Sequence, residues 1–221
     1  MKPTRLLDRA TTPDGTPITL HEHDGTLLIR VAGVELMTTR QHHSEEQLAA
    51  LACAGLRDRR RAAVLIGGLG LGFTLRETLG QVEADGTVVV AELVAAIVAW
   101  NRDPAYGLAA DVIDDPRVEI VTGDVAGVIA ASRGRFDGIM LDVDNGARGL
   151  TAAANDGLYA ATGLGAARAA LRPGGRLAVW SAGDDPRFVA RMEEAGFDVE
   201  VVRARTHPGS RSWNAIFVGT R

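Results

Sequence analysis

Apolar and polar residues alternate along the first forty residues of the chain. The alternation runs from Ile18 on both sides of an Asp24-Gly25 pair, which is a strong signal for a tight β-turn. Residues 1–15 are polar and contain Pro3 and Pro13, so we expect them to be loosely ordered. The pattern predicts a hairpin and a third short strand, over Ile18–His23, Thr26–Ala32 and Val34–Met37.

Beyond residue 43, segments with helical spacing alternate with short apolar runs. The first helix is predicted to begin near Ser44, where Ser44 and Gln47 have the spacing of a capping box. Its apolar stripe consists of Leu48, Leu51, Ala52 and Leu56. Further strands are predicted over Ala63–Ile66, Thr87–Ala91, Arg117–Thr122, Phe136–Leu141, Arg176–Ser181, Asp198–Arg205 and Trp213–Gly219. Further helices are predicted over Leu93–Trp100, Asp156–Leu171 and Asp185–Ala195.

This order of elements predicts an α/β fold with a mostly parallel sheet and helices on both of its faces. The last two strands flank a Pro208-Gly209-Ser210 turn and would add an antiparallel edge. We therefore divide the chain into a tail and small β appendage, residues 1–43, and a larger domain, residues 44–221.

The segment from Ala63 to Glu92 has the order strand, glycine turn, helix, strand and acid. Glycines at 67, 68, 70 and 72 can take positive φ and let a ligand approach the backbone. A carboxylate at the tip of the second strand can accept hydrogen bonds from a ribose diol. The order is typical of a nucleotide-binding βαβ unit, although a tight strand-to-helix turn would also use such glycines.

Acids follow three of the predicted parallel strands: Glu92, Asp124 and Asp142. Ligands of open α/β sheets bind beyond the carboxyl ends of the strands. Each acid could instead cap a helix, and this alternative is strongest for Asp124, which precedes a predicted helix. Together the acids favour a shared crevice.

Composition narrows the classes of function. The net charge of −4 argues against nucleic acid as the main partner, and 46% hydrophobic residues suffice for a core. Cys53 is the single cysteine, which fits a reducing compartment, and no apolar run approaches the length of a membrane span. We expect a cytoplasmic protein without a membrane partner. His42 and His43 are adjacent with no third ligand nearby in sequence, so we predict no metal site.

Several motifs in this order resemble those of the spermidine synthase family within the class I S-adenosylmethionine-dependent methyltransferase superfamily. The glycine turn is followed by Thr74-Leu75-Arg76-Glu77, as in that family. The other matching motifs are Ala91-Glu92, Val121-Thr122-Gly123-Asp124, the run Phe136–Asp142 and Leu171-Arg172-Pro173-Gly174-Gly175. The N-terminal hairpin also resembles the small β domain of that family. The resemblance covers roughly residues 18–220 and implies a Rossmann-like seven-stranded sheet.

The resemblance also implies roles for individual residues. Gly68, Gly70 and Gly72 would lie against the sulfonium side of an adenosyl cofactor, which is S-adenosylmethionine or its decarboxylated form. Glu92 would hold the ribose hydroxyls, Leu93 would pack on the base, and Asp124, beside Gly123, would bind the adenine amino group. Asp142 would orient and deprotonate an attacking amine, with Asp144 beside it and Tyr159 near the acceptor. The resemblance further implies a homodimer.

Some positions depart from the family pattern on the acceptor side. Leu71 stands where the synthases have an acid, Asn145 replaces their second acid, and Leu36 or Met37 replaces a glutamine. Ser44-Glu45 replaces a Tyr-His pair. A buried ammonium without a partner is costly, so these changes argue against ordinary spermidine synthesis.

The leading hypothesis is therefore transfer of an aminopropyl or other alkyl group from an adenosyl sulfonium to a small amine. The product would be methylthioadenosine, or S-adenosylhomocysteine if methyl is transferred instead. Leu71 removes a negative charge and would tolerate the methionine carboxylate, which favours a methyltransferase of a small molecule. A nucleoside-binding protein without catalysis is a third possibility. A nicotinamide dehydrogenase shares the glycine turn but does not account for Asp124 and Asp142.

Overall fold

The computed structural model describes residues 3–142, 157–207, 209–210 and 212–221 of the chain. Its first part is a four-stranded antiparallel sheet in which neighbouring strands are also consecutive in the sequence. The strands are β1 (Arg5–Thr11), β2 (Pro17–His23), β3 (Thr26–Val31) and β4 (Val34–Thr38).

The predicted hairpin is confirmed. Strand β2 pairs with β3 from Ile18 with Val31 to His23 with Thr26. Between the strands Asp24 has φ 52° and Gly25 has φ 77°, which are the two positive values that a tight hairpin turn needs.

The expectation that residues 1–15 are loosely ordered is wrong for Arg5–Thr11, which form strand β1 at the edge of this sheet. Most side chains of β1 are exposed, so the strand carries little of the apolar alternation on which the prediction depended. The indole nitrogen of Trp100 donates a 2.6 Å hydrogen bond to the Asp8 carboxylate. This bond ties the small sheet to the larger part of the protein.

The main sheet has seven strands in the order β10-β11-β9-β8-β5-β6-β7. Strands β5 to β9 pair with one another in parallel, and β11 is antiparallel to both β9 and β10. The predicted fold class, a mostly parallel seven-stranded Rossmann-like sheet with an antiparallel C-terminal hairpin, is confirmed. The strands are β5 (Ala63–Gly67), β6 (Thr87–Glu92), β7 (Val118–Thr122), β8 (Phe136–Leu141), β9 (Leu171–Ser181), β10 (Asp198–Arg205) and β11 (Trp213–Thr220).

Helices cover both faces of the main sheet. The described helices are α1 (His43–Ala52), α2 (Phe73–Gln81), α3 (Ala95–Arg102), α4 (Val125–Ala130), α5 (Ala161–Ala170) and α6 (Pro186–Glu194). Apolar residues of the first three helices pack with Met140 and Ala178 in one core cluster. Those of the other three pack with Ile139 and Leu141 in a second cluster. Since side chains alternate along a strand, we call these two sides the α1 face and the α5 face.

Two local predictions are wrong. Ser44 does not cap α1, because the N-cap is His42 and the Ser44 hydroxyl donates to the Glu45 carboxylate instead. The Pro173-Gly174-Gly175 segment was predicted to separate a helix from a strand beginning at Arg176, yet β9 runs from Leu171. A shift in register between Phe136 and Gly138 on the neighbouring strand accommodates the segment.

No helix in the described residues is both long enough and apolar enough to span a membrane.

Candidate active site at the carboxyl edge of the sheet

The glycine turn lies directly after β5, at the end of the central strand of the sheet. Gly68, Gly70 and Gly72 have φ values of 88°, 53° and 85°, in the region that L-residues with a side chain avoid. Gly72 is the N-cap of α2, so the three positive values turn the chain from the strand into the helix. This conformation was the predicted one.

Part of the need for glycine in this turn comes from the protein's own packing. A β-carbon on Gly72 would lie 2.5 Å from the Ala109 β-carbon and 3.0 Å from the Asn101 side-chain oxygen. A β-carbon on Gly70 would lie 3.0 Å from the Met37 sulfur, which the small sheet places over the turn. Gly70 and Gly72 are thus closely covered by protein atoms.

Glu92 is buried at the end of β6, with 5% of its surface exposed. One carboxylate oxygen accepts a 2.8 Å hydrogen bond from the Leu69 amide in the glycine turn, and the other accepts one of 2.8 Å from the Val94 amide. Burial raises the pKa of Glu92, while these backbone bonds act in the opposite direction. The Gly70 and Leu93 amides also lower the pKa of Glu92, so the carboxylate is surrounded by backbone donors from the glycine turn and from the segment after β6.

The predicted Val121-Thr122-Gly123-Asp124 motif lies beside Glu92. The Gly123 amide donates a 2.9 Å hydrogen bond to the Glu92 carbonyl. Asp124 is exposed and its carboxylate accepts from the Ala126 amide at 2.8 Å, so it does cap α4. Only one of its oxygens makes that bond, which leaves the cap and a ligand-binding role compatible. Leu93 is 40% exposed beside this motif.

Asp142 lies on the other side of the glycine turn. Its amide donates a 3.3 Å hydrogen bond to the Gly67 carbonyl at the end of β5. On the far side of the turn, the Gly68 amide donates to the Ala91 carbonyl at 2.9 Å. Backbone hydrogen bonds therefore connect the ends of four neighbouring strands, in the order β8, β5, β6 and β7. They bring Asp142, the glycine turn, Glu92 and Asp124 to one edge of the sheet. We call this edge the carboxyl edge.

Tyr159 lies on the α5 face of the sheet. Its ring packs edge-on against Phe188, with 5.6 Å between the ring centroids, in the cluster on the α5 face. Asp142 comes directly after β8, two positions beyond Met140, and continuing the alternation of the strand directs it to the α1 face. Asp144 and Asn145 lie outside the described residues. So does the rest of the glycine- and alanine-rich segment 144–155, whose composition suits either a gate over the site or a plain surface connection. The acceptor-side roles of Tyr159 and Asp144 stay predictions.

Glu45 is a second carboxylate near Asp142 that sequence reasoning did not assign to the site. The Ser44 hydroxyl donates a 2.7 Å hydrogen bond to Glu45. Burial, and then the negative charge of Asp142, raise the pKa of Glu45 to about 7. The signal was present in the sequence, because Glu45 shares the inner face of α1 with Leu48, Ala49 and Ala52 at helical spacing.

His42 and His43 lie at the beginning of α1. The His42 ring stacks on Phe73 with 4.3 Å between centroids, and its Nδ1 lies 2.8 Å from the Glu46 carboxylate. His43 Nδ1 lies 3.5 Å from the same carboxylate. Within the described part of the chain, no group of three or more His, Cys, Asp or Glu side chains is arranged to hold a metal ion.

Comparison with known proteins shows the fold. No protein-family model matches the chain, and no curated protein does. Two similar solved structures are a spermidine synthase in complex with the transition-state analogue AdoDATO, at 22% identity, and the spermidine synthase from Thermotoga maritima, at 21%. Each superposition has a TM-score of 0.74 and covers 97% of this chain and 72% of the other. The chain thus has the fold of these two spermidine synthases.

Proposed function

We propose that this protein is a transferase that moves an alkyl group, preferably aminopropyl, from an adenosyl-sulfonium donor to a small amine. The observation that carries the proposal is the row of backbone hydrogen bonds joining four strand ends at the carboxyl edge. That row gathers the glycine turn, a buried carboxylate for a ribose and an acid for an amine. None of these groups alone is specific, but their order along one edge is that of an adenosyl site.

The donor side of the carboxyl edge fits an adenosyl group. Glu92 would hold the ribose hydroxyls, since two backbone amides fix its carboxylate at the end of β6 beside the glycine turn. Asp124 would take the adenine amino group, with Gly123 at its side and the exposed Leu93 on the base. Gly68 would lie nearest to the sulfonium side, whereas Gly70 is already covered by Met37.

The acceptor side depends on Asp142. When bound, an adenosyl sulfonium supplies an electrophilic carbon, whose bond to sulfur breaks with its electron pair on sulfur as the amine nitrogen forms the new bond to carbon. The Asp142 carboxylate holds the amine by hydrogen bonding and accepts the proton that an ammonium must lose before its lone pair can attack. Alignment of the two reactants would contribute roughly 7–11 kcal/mol.

Aminopropyl and methyl transfer make different demands on the site. A similar solved structure is a spermidine synthase holding AdoDATO, which favours the aminopropyl reaction. Leu71, 6% exposed, packs in the core where the family has an acid. The missing negative charge would tolerate the carboxylate of S-adenosylmethionine, so methyl transfer is the second candidate. Ordinary spermidine synthesis is not what we propose.

A binding and transfer experiment tests the proposal. S-Adenosylmethionine, its decarboxylated form, methylthioadenosine and S-adenosylhomocysteine are titrated against the protein, and radiolabelled donors are then incubated with it and a mixed panel of amines. We expect tighter binding of the donor without a carboxylate and a labelled amine product. Preference for the carboxylate-bearing donor would establish methyl transfer. Binding without product would establish a nucleoside-binding protein, and absence of binding would refute an adenosyl site.

Asp142→Asn separates binding from chemistry. The substitution keeps the backbone bond to Gly67 but removes the carboxylate, so turnover should fall by roughly 10²–10⁴-fold with methylthioadenosine affinity nearly unchanged. A fully active variant would exclude Asp142 from the reaction.

The homodimer and the cytoplasmic location are also part of the proposal. Analytical ultracentrifugation of the purified protein measures the first.

A further inference from the structure

Helix α1 and strand β8 cross with their directions opposed. A β-carbon on Gly138 would lie 2.9 Å from the Ala52 carbonyl oxygen, so the last turn of the helix lies on the middle of the strand. Glu45 precedes Ala52 by about 10 Å of helix, at 1.5 Å per residue. Asp142 follows Gly138 by about 13 Å of strand, at 3.3 Å per residue. Both residues therefore arrive at the carboxyl edge, on the α1 face.

The neighbouring strands contribute two more side chains to this corner. Met140 on β8 pairs with Ala178 on β9, and Trp180 pairs with Ile216 on β11. Two positions after Met140 and Ala178, and two before Ile216, the same alternation directs Asp142, Trp180 and Asn214 to the α1 face. The Asn214 amide lies 3.4 Å from the Ser44 hydroxyl, which in turn bonds Glu45.

The indole nitrogen of Trp180 is buried and has no hydrogen-bond partner among the described residues. Buried polar groups are nearly always bonded, but an ammonium has no acceptor to offer this donor, so the ring of Trp180 and not its nitrogen is the part suited to a cation. Its ring packs against the α1-face core on one side. The corner thus combines the carboxylates of Glu45 and Asp142 with the aromatic ring of Trp180.

We propose that Glu45 and Asp142 together hold one cationic nitrogen of the acceptor amine, with the Trp180 ring beside it. The inference rests on the proposed function and names the acceptor as a primary alkylamine that presents an ammonium between two acids from different elements. An aromatic ring beside an ammonium adds a favourable cation–π contact. Glu45 thereby supplies a second acid to the acceptor site from α1.

This arrangement couples amine binding to the release of a proton. Burial, and after it the charge of Asp142, raise the pKa of Glu45 to about 7, and the neighbouring Glu46 acts in the same direction. Asn214, Trp180 and Ser44 are uncharged at this pH. A positive charge placed between the acids favours the ionised form of Glu45. Binding of an ammonium near pH 7 should therefore drive a proton off Glu45.

Calorimetry of n-butylamine binding tests the inference. The amine is titrated at pH 7 into the protein, with and without saturating methylthioadenosine, in two buffers that differ in ionisation enthalpy. We expect about half a proton to be released per amine bound by the wild-type protein. n-Butanol, which has the same chain without the charge, should bind at least tenfold more weakly.

The variant Glu45→Gln should lose the proton release and bind n-butylamine at least tenfold more weakly, with methylthioadenosine affinity within about twofold. Glu45→Asp, which keeps the acid, should retain the proton release. Glu46→Gln is the matched control, because it removes the same charge from the same helix turn and should keep the release. The melting temperature of each variant is measured to show that it is folded.

Proton release that survives in Glu45→Gln, or that is lost equally in Glu46→Gln, would overturn the inference. The inference would also be overturned if n-butylamine failed to bind the wild-type protein both with and without methylthioadenosine. If methylthioadenosine binds normally in these cases, only the inference fails and the proposed function stands. If methylthioadenosine does not bind, the proposed function fails, and the amine titration of the protein alone still decides the role of Glu45.

Discussion

The Glu92 carboxylate accepts a hydrogen bond from the Leu69 amide at 2.8 Å, which fixes the end of β6 to the glycine turn after β5. A second bond of 2.8 Å from the Val94 amide fixes the same carboxylate to the beginning of the next helical segment. One buried side chain therefore sets the positions of two loops at the candidate adenosyl site. This relationship predicts that Glu92 contributes to both stability and binding.

Glu92→Gln replaces one carboxylate oxygen by an NH₂ group. That group is a donor, so it cannot accept the hydrogen bond from the backbone amide that it faces. Leaving one buried amide unsatisfied should cost about 1–3 kcal/mol of unfolding free energy. Methylthioadenosine affinity should fall by at least tenfold, because the ribose loses a carboxylate oxygen that can accept from its hydroxyls. Urea denaturation and calorimetry measure the two effects. Unchanged affinity in a folded variant would remove Glu92 from the ribose site.

Gly72→Ala tests whether packing demands the glycine. The added β-carbon would lie 2.5 Å from the Ala109 β-carbon, at a backbone φ of 85°. We expect a loss of about 1–3 kcal/mol of unfolding free energy, measured by urea denaturation.

Gly80→Ala is the matched control for Gly72→Ala, because Gly80 lies in the same helix, α2, with no atom within 4 Å of the added carbon. It should stabilise the protein by about 0.5–1 kcal/mol. Equal effects of the two substitutions would contradict the packing explanation.

Asp137 provides a test remote from the carboxyl edge. It is 2% exposed on β8, where it contacts Arg172 at 2.6 Å, Arg59 at 2.8 Å and the Ala63 amide at 2.8 Å. Asp137→Ala leaves two arginines facing an apolar strand and should cost roughly 3–5 kcal/mol. Methylthioadenosine affinity of the folded fraction should be unchanged. A selective loss of affinity would show that the two ends of β8 are coupled.

The raised pKa of Glu45 predicts a dependence of stability on pH. Its pKa is about 7 in the folded protein and 4.5 in the unfolded chain, so between these values the folded state holds the extra proton. The contribution of Glu45 to unfolding free energy is therefore fully present below pH 4.5 and is lost as pH rises through 7. Relative to wild type, Glu45→Gln should gain about 1–3 kcal/mol between pH 5 and pH 8. Urea denaturation at both values measures it, and a constant difference would contradict the shift.

The sequence predicts the fold well where its signals are local. Strands β5, β6 and β8 are nearly continuous apolar runs, and the glycine turn and acids mark their ends. Strand β1 was missed because its exposed edge carries Arg5, Asp8 and Arg9 where an apolar alternation would be expected.

The acceptor corner was harder to predict, because its residues meet only through tertiary packing. Glu45 was read as part of a departure from a family motif, and the placement of α1 on Gly138 depends on a contact 86 positions away in the chain. In the same way, Met37 covers Gly70 from a different sheet. No periodicity within one segment reports such contacts.

The central claim is that one hollow at the carboxyl edge binds adenosine, and amide NMR of the labelled protein during titration with methylthioadenosine tests it most directly. We predict saturable shifts of the Gly68, Leu69, Leu93, Asp124 and Asp142 amides with one common dissociation constant. The Gly174 amide, which donates to the Arg221 carbonyl at the opposite end of the sheet, should not shift. No saturable change at the first five amides, or the largest changes near Gly174, would contradict the account.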